Sequence, residues 1–224
     1  MKRILLISVI LLLATALLAD SVAILSASKG KVSLERALKN LKFKNGELLQ
    51  NKDVLRTGAE SFAAYKYIDA SSMIKLFSNS VVTVNASKEG GKLSKKVNVT
   101  KGSILTQVKK GSGTFTVQTP TTVASVKGTE FLTKVDDDGF STFTVTDGEV
   151  ELRVLETDEV QLVGKGKTGI VSPDGAIRVR VSSADDLDEI QKAELESAQN
   201  EEREPIIVPV LDDAGNRKLI EIHY

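Results

Sequence analysis

Hydrophobic and polar residues alternate along much of this chain, most clearly between residues 115 and 152. Phe115 and Val117 fall on one side of the pattern, and Thr116 and Gln118 fall on the other. A period of two residues is typical of a half-buried β-strand. The same alternation returns in three further runs, at residues 131–135, 143–145 and 150–154. The pattern therefore predicts several short strands in succession.

Turn residues close each of these runs. Thr119-Pro120 ends the first run, Gly128 precedes the second, residues 136–139 (DDDG) reverse it, and Asp147-Gly148 forms a tight hairpin. Similar signals recur about every eight to twelve residues in the first 180 residues, which favours an all-β fold. We predict an irregular antiparallel β-roll or sandwich with solenoid-like stacking over residues 20–182.

Three short glycine segments resemble one another: Gly30-Lys31-Val32, Gly102-Ser103-Ile104 and Gly148-Glu149-Val150. Their irregular spacing does not fit a solenoid repeat of fixed period. We interpret them as one supersecondary motif that occurs three times. Around Gly102, the apolar runs 97–101 and 104–108 are expected to pair as a hairpin.

The composition changes after residue 182. Ser183 and Asp186 have the spacing of a capping box, and apolar residues then follow at helical spacing. We predict an acidic helix over residues 183–204 and a terminal β-hairpin over residues 205–224. Pro209 makes the first arm of that hairpin an edge strand. The hairpin is too small to be stable alone, so it must dock on the main sheet or meet a partner.

Residues 1–19 have the parts of an export signal: Lys2-Arg3, an apolar run and a small-residue end. We predict cleavage between Ala19 and Asp20. Cleavage after Ala23 and retention of the segment as an anchor are the alternatives, and the apolar run is short for a spanning helix. The mature protein is then periplasmic or secreted, and it meets the membrane only through this segment before cleavage.

Composition limits the possible chemistry. The 224 residues include no cysteine and one histidine, which excludes thiol catalysis and typical zinc sites. The charge is balanced, with 30 basic and 30 acidic residues, so nucleic-acid binding is not expected. With aromatic residues at 4% and no tryptophan, we expect a core mainly of Val, Leu and Ile.

Three segments imitate known sites. The glycine-lysine segment 164–169 (GKGKTG) lacks the spacing and the following helix of a phosphate-binding loop, so we interpret it as a turn. Residues 136–138 lack the further acidic ligand of a calcium loop, and a charged hairpin tip is favoured. His223 lies beside the last residue of the sequence, where a catalytic triad would be poorly held. We therefore predict no catalytic residue, no metal site and no cofactor.

Two groups of residues in this sequence form a recognisable motif. The main group is Thr119, Pro120, Lys127, Gly128, Thr129, Phe131, Gly148 and Val150. The upstream group is Gly46, Asp53, Val54, Leu55, Thr57 and Gly58. In order and spacing they resemble the FecR-domain family, whose main segment is "TP…A.VRGT.F" followed by "GxV" and whose upstream segment is "G..L..GD.V.TG". The resemblance covers roughly residues 21–170. Lys127 stands where the family more often has Arg.

Two roles are open for the segment around Lys127. In the structural account Gly128 lets the backbone approach a neighbouring strand, Thr129 bonds a turn carbonyl, and Lys127 extends over apolar surface. In the functional account these residues form part of a partner-binding edge. We favour the structural account, because packing alone requires Gly and Thr at such strand starts.

The resemblance also implies a function. FecR-like regulators relay signals from outer-membrane transporters to a cytoplasmic sigma factor. Since only three residues precede the apolar run, we expect no sigma-binding segment here. We predict a non-enzymatic envelope protein that senses signals or binds proteins, with an envelope protein or transporter as its partner. The alternatives are a glycan- or peptidoglycan-contacting scaffold that uses Tyr65 and Tyr67, and, least favoured, a hydrolase.

Overall fold

The computed structural model describes residues 21–89, 92–200, 206–211 and 217–222. The predicted cleavage site at Ala19 and Asp20 and the terminal His223 lie outside these residues. Within the described residues no helix combines the length and the apolar character that crossing a membrane requires.

Strands dominate the described residues, and one helix, α1, spans Ala184–Asn200. The strands before the helix are β1 Ser21–Lys29, β2 Val32–Arg36, β3 Lys39–Leu41, β4 Leu48–Gln50, β5 Asp53–Thr57, β6 Phe62–Tyr67, β7 Ser72–Leu76, β8 Val81–Glu89, β9 Lys92–Val108, β10 Phe115–Gln118, β11 Thr122–Val126, β12 Glu130–Val135, β13 Ser141–Asp147, β14 Glu149–Val154, β15 Val160–Gly164, β16 Lys167–Val171 and β17 Ile177–Val181. After the helix come β18 Ile206–Leu211 and β19 Arg217–Ile222, which pair with each other.

The strand pairings form two layers. Sheet A has the order β4, β1, β6, β7, the second part of β9, β12, β13, β16 and β17. Sheet B has the order β3, β2, β5, β8, the first part of β9, β10, β11, β14 and β15. The predicted all-β fold with one helix is confirmed. One pair, β9 with β10, is parallel, so the expectation of a purely antiparallel arrangement was wrong there.

The expected hairpin at Gly102 was also wrong, because residues 92–108 form one continuous strand. Its first part pairs with β8 in sheet B, and its second part pairs with β7 and β12 in sheet A. Gly102 has φ +89, and an added Cβ would lie 2.5 Å from the Cα of Ser80. The glycine therefore lets the strand bend from one sheet to the other. In sequence, a bend of this kind looks the same as a turn.

The core lies between the two sheets. Val, Leu and Ile supply most of its buried side chains, as expected, and aromatic rings complete it. Tyr65, Tyr67 and Phe115 form a chain of edge-on contacts, with ring centroids 5.7 and 6.2 Å apart. β11, which the alternation analysis did not predict, contributes Ala124 and Val126 to this core.

Helix α1 packs on the outer face of sheet A. Ile190 and Ala193 are buried there in a second apolar cluster, which also contains Ala27, Phe62, Ala64, Phe77, Leu105 and Leu132. The predicted capping box is present. The Ser183 backbone N–H donates to Asp186 Oδ2 at 2.6 Å, and the Asp186 N–H donates to Ser183 Oγ at 3.3 Å.

Candidate functional site

Three corners of the sandwich share one construction, in which a glycine with positive φ lies against a serine or threonine. The pairs are Gly30 with Ser61, Gly102 with Ser80, and Gly148 with Thr129. Each hydroxyl bonds the backbone of the residue after the glycine: Ser61 Oγ accepts from Lys31 N at 2.8 Å, Ser80 Oγ accepts from Ser103 N at 3.0 Å, and Thr129 Oγ1 donates to Glu149 O at 3.1 Å. At each corner the glycine segment crosses between the sheets. The three similar glycine segments of the sequence are thus one supersecondary motif.

The Lys127–Thr129 segment forms the third of these corners. Gly128 is buried with φ +73, and an added Cβ would lie 2.9 Å from the Cα of Lys110. At Gly148 an added Cβ would lie 2.7 Å from the carbonyl oxygen of Gly128. Real Cβ atoms do not approach backbone so closely, so both positions require glycine. This geometry supports the structural account of Gly128 and Thr129, while Lys127 is exposed.

Thr119 and Pro120 lie at the opposite end of β11. Pro120 is exposed in the turn, whereas the Thr119 hydroxyl is buried and accepts hydrogen bonds from Thr122 N at 3.1 Å and Ser141 Oγ at 2.8 Å. Five residues of strand, about 17 Å, separate this turn from Lys127. The motif residues therefore do not converge on one site. Phe131 and Val150 belong to the core.

Two depressions flank the Lys127 corner. The smaller has a volume of about 390 Å³ and the larger about 790 Å³. Gly128 and Thr129 line the smaller one, and Lys127 lines the larger one beside Glu149 and Glu151. The corner thus forms the wall between two concave surfaces.

The floor of the smaller depression is a row of side chains across four neighbouring strands of sheet A. In register these are Lys66, Met73, Gln107 and Glu130. Gln107 Nε2 donates to Glu130 Oε2 at 2.9 Å, which fixes the acidic end of the row. The exposed residues Lys109 and Lys110 line the same depression. Lysines therefore outnumber acids around it, which suits contact with an acidic partner surface.

Comparison with known proteins gives a family for this region. The sequence model described as "FecR protein" matches residues 53–151, which include the Lys127 corner and all four residues of the row beneath it. This chain contains a FecR domain. No curated protein is similar enough in sequence to count as a match.

The fold of this chain is also found in solved structures. Two crystal structures of a candidate anti-sigma factor from Parabacteroides distasonis ATCC 8503 superpose with TM-scores of 0.52 and 0.50. Each match has 15% sequence identity and covers 76% of this chain and 85% of the other. At this identity the likeness concerns the fold alone.

Two ion pairs, each with one buried partner, hold loops of this structure, and the sequence did not reveal them. Asp53 begins the FecR match and is fully buried, and it accepts hydrogen bonds from Arg36 Nε at 2.8 Å and Arg36 Nη2 at 2.7 Å. The hydrogen bond to Asp53 raises the pKa of Arg36. The sequence signal for this pair was an aspartate at a turn within the family motif. It did not identify the partner, because Arg36 lies on another strand.

The second pair joins Lys95 to Asp69. The Lys95 side chain is fully buried, and its Nζ donates to Asp69 Oδ2 at 2.5 Å, Ser71 Oγ at 2.7 Å and Ser112 O at 2.8 Å. Burial raises the pKa of Asp69, but the hydrogen bonds from Lys95 and Ser71 outweigh burial and leave it lowered. All three N–H groups of the Lys95 ammonium donate hydrogen bonds, so Lys95 holds the loop with Asp69 and Ser71 and the loop with Ser112 against the sandwich.

The structure also shows where the two loop segments and the two tyrosines singled out in the sequence lie. Within the 164–169 segment Lys165 and Gly166 form a turn between β15 and β16, and residues 136–138 form an exposed hairpin tip, as predicted. Tyr65 and Tyr67 are buried at 0% and 1% exposure. The hypothesis that these two rings stack on a glycan was therefore wrong.

Proposed function

We propose that this chain is an exported, non-enzymatic FecR-domain protein that senses signals or binds a protein partner in the periplasm or cell envelope. The observation that carries the proposal is the FecR match over residues 53–151. The fold shared with a candidate anti-sigma factor supports a regulatory role. The export signal read from residues 1–19 supports the envelope location.

We propose further that the partner is contacted at the smaller depression. Its two exposed lysines, Lys109 and Lys110, lie on the loop after β9, where side chains can reach a partner without disturbing a sheet. An acidic segment or acidic loop of an envelope protein has the complementary charge.

The test is a pull-down from envelope extracts, with the mature chain as bait. The double variant Lys109→Glu/Lys110→Glu reverses the charge of the depression, and Lys39→Glu/Lys42→Glu is the matched control at exposed lysines elsewhere. We expect the wild type and the control to retain one specific protein and the depression variant to lose it. If no specific protein is retained and gene deletion leaves envelope signalling unchanged, the proposed function is wrong.

Export is tested separately. Cell fractionation should place the protein outside the cytoplasm, and amino-terminal sequencing should start at Asp20. An intact leader on cytoplasmic protein would contradict the localisation without bearing on the partner surface.

A further inference from the structure

The two sheets end in open edges at the same end of the sandwich. Within the described residues β17 pairs with β16 alone, and β15 pairs with β14 alone. Apolar side chains are exposed there, with Val181 at 74%, Leu162 at 54% and Val160 at 44%. Unpaired edge strands can accept a further strand through main-chain hydrogen bonds.

Helix α1 carries the chain away from this end. Its first turn is fixed beside β16 and β17, because Asp186 accepts hydrogen bonds from Thr168 Oγ1 at 3.1 Å and Arg180 Nη2 at 3.0 Å. Further along, Glu189 is paired with Lys134 of β12. The helix also contacts β1, near the other end of sheet A. The chain therefore leaves the helix at the end of sheet A opposite to β17.

The terminal hairpin of the same molecule is too far from β17 to pair with it. The helix rises about 24 Å from Ala184 to Asn200, and an added strand would lie about 5 Å beyond β17. Only six Cα steps lead from Asn200 to Ile206, and fully extended they span about 22 Å at most. The required distance of roughly 29 Å exceeds this reach.

The edge at the β1 end is short and partly covered. Its last strand, β4, has three residues. Beyond β4 the edge of β1 is occupied by the preceding loop, since Leu25 O accepts from Gly46 N at 2.8 Å and Ser28 Oγ bonds Asn45 Oδ1 at 2.8 Å. By contrast, β17 presents five consecutive residues. A six-residue strand of a hairpin fits the β17 edge better.

We propose that the terminal hairpin of one molecule adds to the β17 edge of a second copy of this chain. The strand that pairs is β19, because Pro209 deprives β18 of a backbone donor. An antiparallel register places Val179 opposite Ile220 and Arg178 opposite Glu221. Ile177 and Val179 are half-buried against the core and Arg178 is exposed, so this register matches the apolar and charged alternation of the β19 sequence to that of β17.

This arrangement is heterologous, because the edge and the hairpin are different surfaces of the chain. Each copy offers one hairpin and one β17 edge, so contacts of this kind produce rings or open chains. The inference does not depend on the proposed function, since it concerns the association of identical copies.

Disulfide trapping tests the register, because the chain has no cysteine of its own. Two single variants of the mature chain, Arg178→Cys and Glu221→Cys, are mixed and oxidised. Cross-strand neighbours meet the Cα separation that a disulfide needs, so we expect covalent dimers well above the level of either variant alone. The control mixture pairs Glu221→Cys with Arg153→Cys, an exposed position on sheet B. It should give at least tenfold fewer dimers.

The double variant Arg178→Cys/Glu221→Cys should give a ladder of covalent multimers on a non-reducing gel. A faster-migrating monomer, which indicates a bond within one chain, would overturn the proposal. So would equal dimer yields in the test and control mixtures, or no covalent dimer at all. As a second measurement, a chain ending at Asn200 should sediment as a monomer where the mature chain self-associates. Equal sedimentation behaviour of the two chains would also overturn the proposal.

Discussion

The two outer faces of the sandwich differ in what lies on them. The outer face of sheet A carries apolar side chains such as Leu105 and Leu132, and helix α1 covers them. The outer face of sheet B carries polar and charged side chains such as Thr116, Glu151 and Arg153, and no described element covers it. The helix therefore packs where the strands are apolar on both faces. The sequence of those strands, and not that of the helix, indicates which surface the helix covers.

The strand patterns record this difference. In β6 nearly every residue is buried, which requires cover on both sides, whereas β14 alternates strictly between exposed and buried residues. The acidic helix alone, with its narrow apolar stripe, does not reveal which surface it binds. The sequence FAAY at residues 62–65 does, because apolar residues occupy both parities of the strand.

The largest expected effect comes from the covered face. Leu105→Ala removes a side chain that is 1% exposed beneath α1, and we expect it to lower the free energy of unfolding by about 2–4 kcal/mol. The matched control is Leu162→Ala at 54% exposure, where we expect a change within about 0.5 kcal/mol. Urea denaturation followed by circular dichroism measures both. Equal losses at the two positions would show that the helix does not cover sheet A in solution.

The next effect concerns the start of the helix. Asp186→Asn weakens charge-assisted hydrogen bonds from Arg180, Thr168 and the capping Ser183, and we expect a loss of about 1–3 kcal/mol. Asp188→Asn is the control, because that carboxylate is exposed and pairs with Lys192 on the helix surface. Its expected effect is below about 0.5 kcal/mol. A loss at Asp188 as large as that at Asp186 would contradict the anchoring role.

The same anchor predicts a dependence on pH. Burial raises the pKa of Asp186, but hydrogen bonds from Arg180 and Ser183 outweigh burial and leave it well below its ordinary value. A carboxyl group with a lowered pKa in the folded state stabilises that state above its unfolded pKa, which is about 3.9. The contribution is lost as pH falls from there through the folded pKa. The difference in unfolding free energy between wild type and Asp186→Asn should therefore shrink between pH 5 and pH 2. A difference that stays constant over this range would refute the assignment.

How far the sequence predicts this molecule depends on whether the signal is local. Alternation and turns reveal most strands, and the capping box reveals the start of α1. A strand bend and a turn both place a glycine between two apolar runs, so the sequence around Gly102 wrongly predicts a hairpin. The serine partners of Gly30 and Gly102 could not be predicted either. At the third corner Thr129 follows a left-handed glycine, Gly128. Ser61 and Ser80 follow the left-handed residues Glu60 and Asn79, which give no such signal in the sequence.

The candidate site shows the same limit. The motif identifies the Lys127 corner, because Gly128 and Thr129 serve their structural roles through neighbours in the same motif. The two depressions beside the corner depend on strands far apart in sequence, such as those that carry Lys66, Gln107 and Glu130. Strand order between distant segments is not written in a local pattern, so neither depression could be predicted.

The smallest expected effect lies on the surface between helix and sheet. Lys134 Nζ and Glu189 Oε1 are 2.5 Å apart, but the two side chains are 41% and 45% exposed. Water and salt screen such pairs, so we expect a coupling energy of about 0.5 kcal/mol or less in a double-mutant cycle with Lys134→Ala and Glu189→Ala. The coupling should fall further in 1 M NaCl, where the screening length is about 3 Å. A coupling above 1.5 kcal/mol would show that this pair, as well as the apolar cluster and Asp186, holds the helix on sheet A.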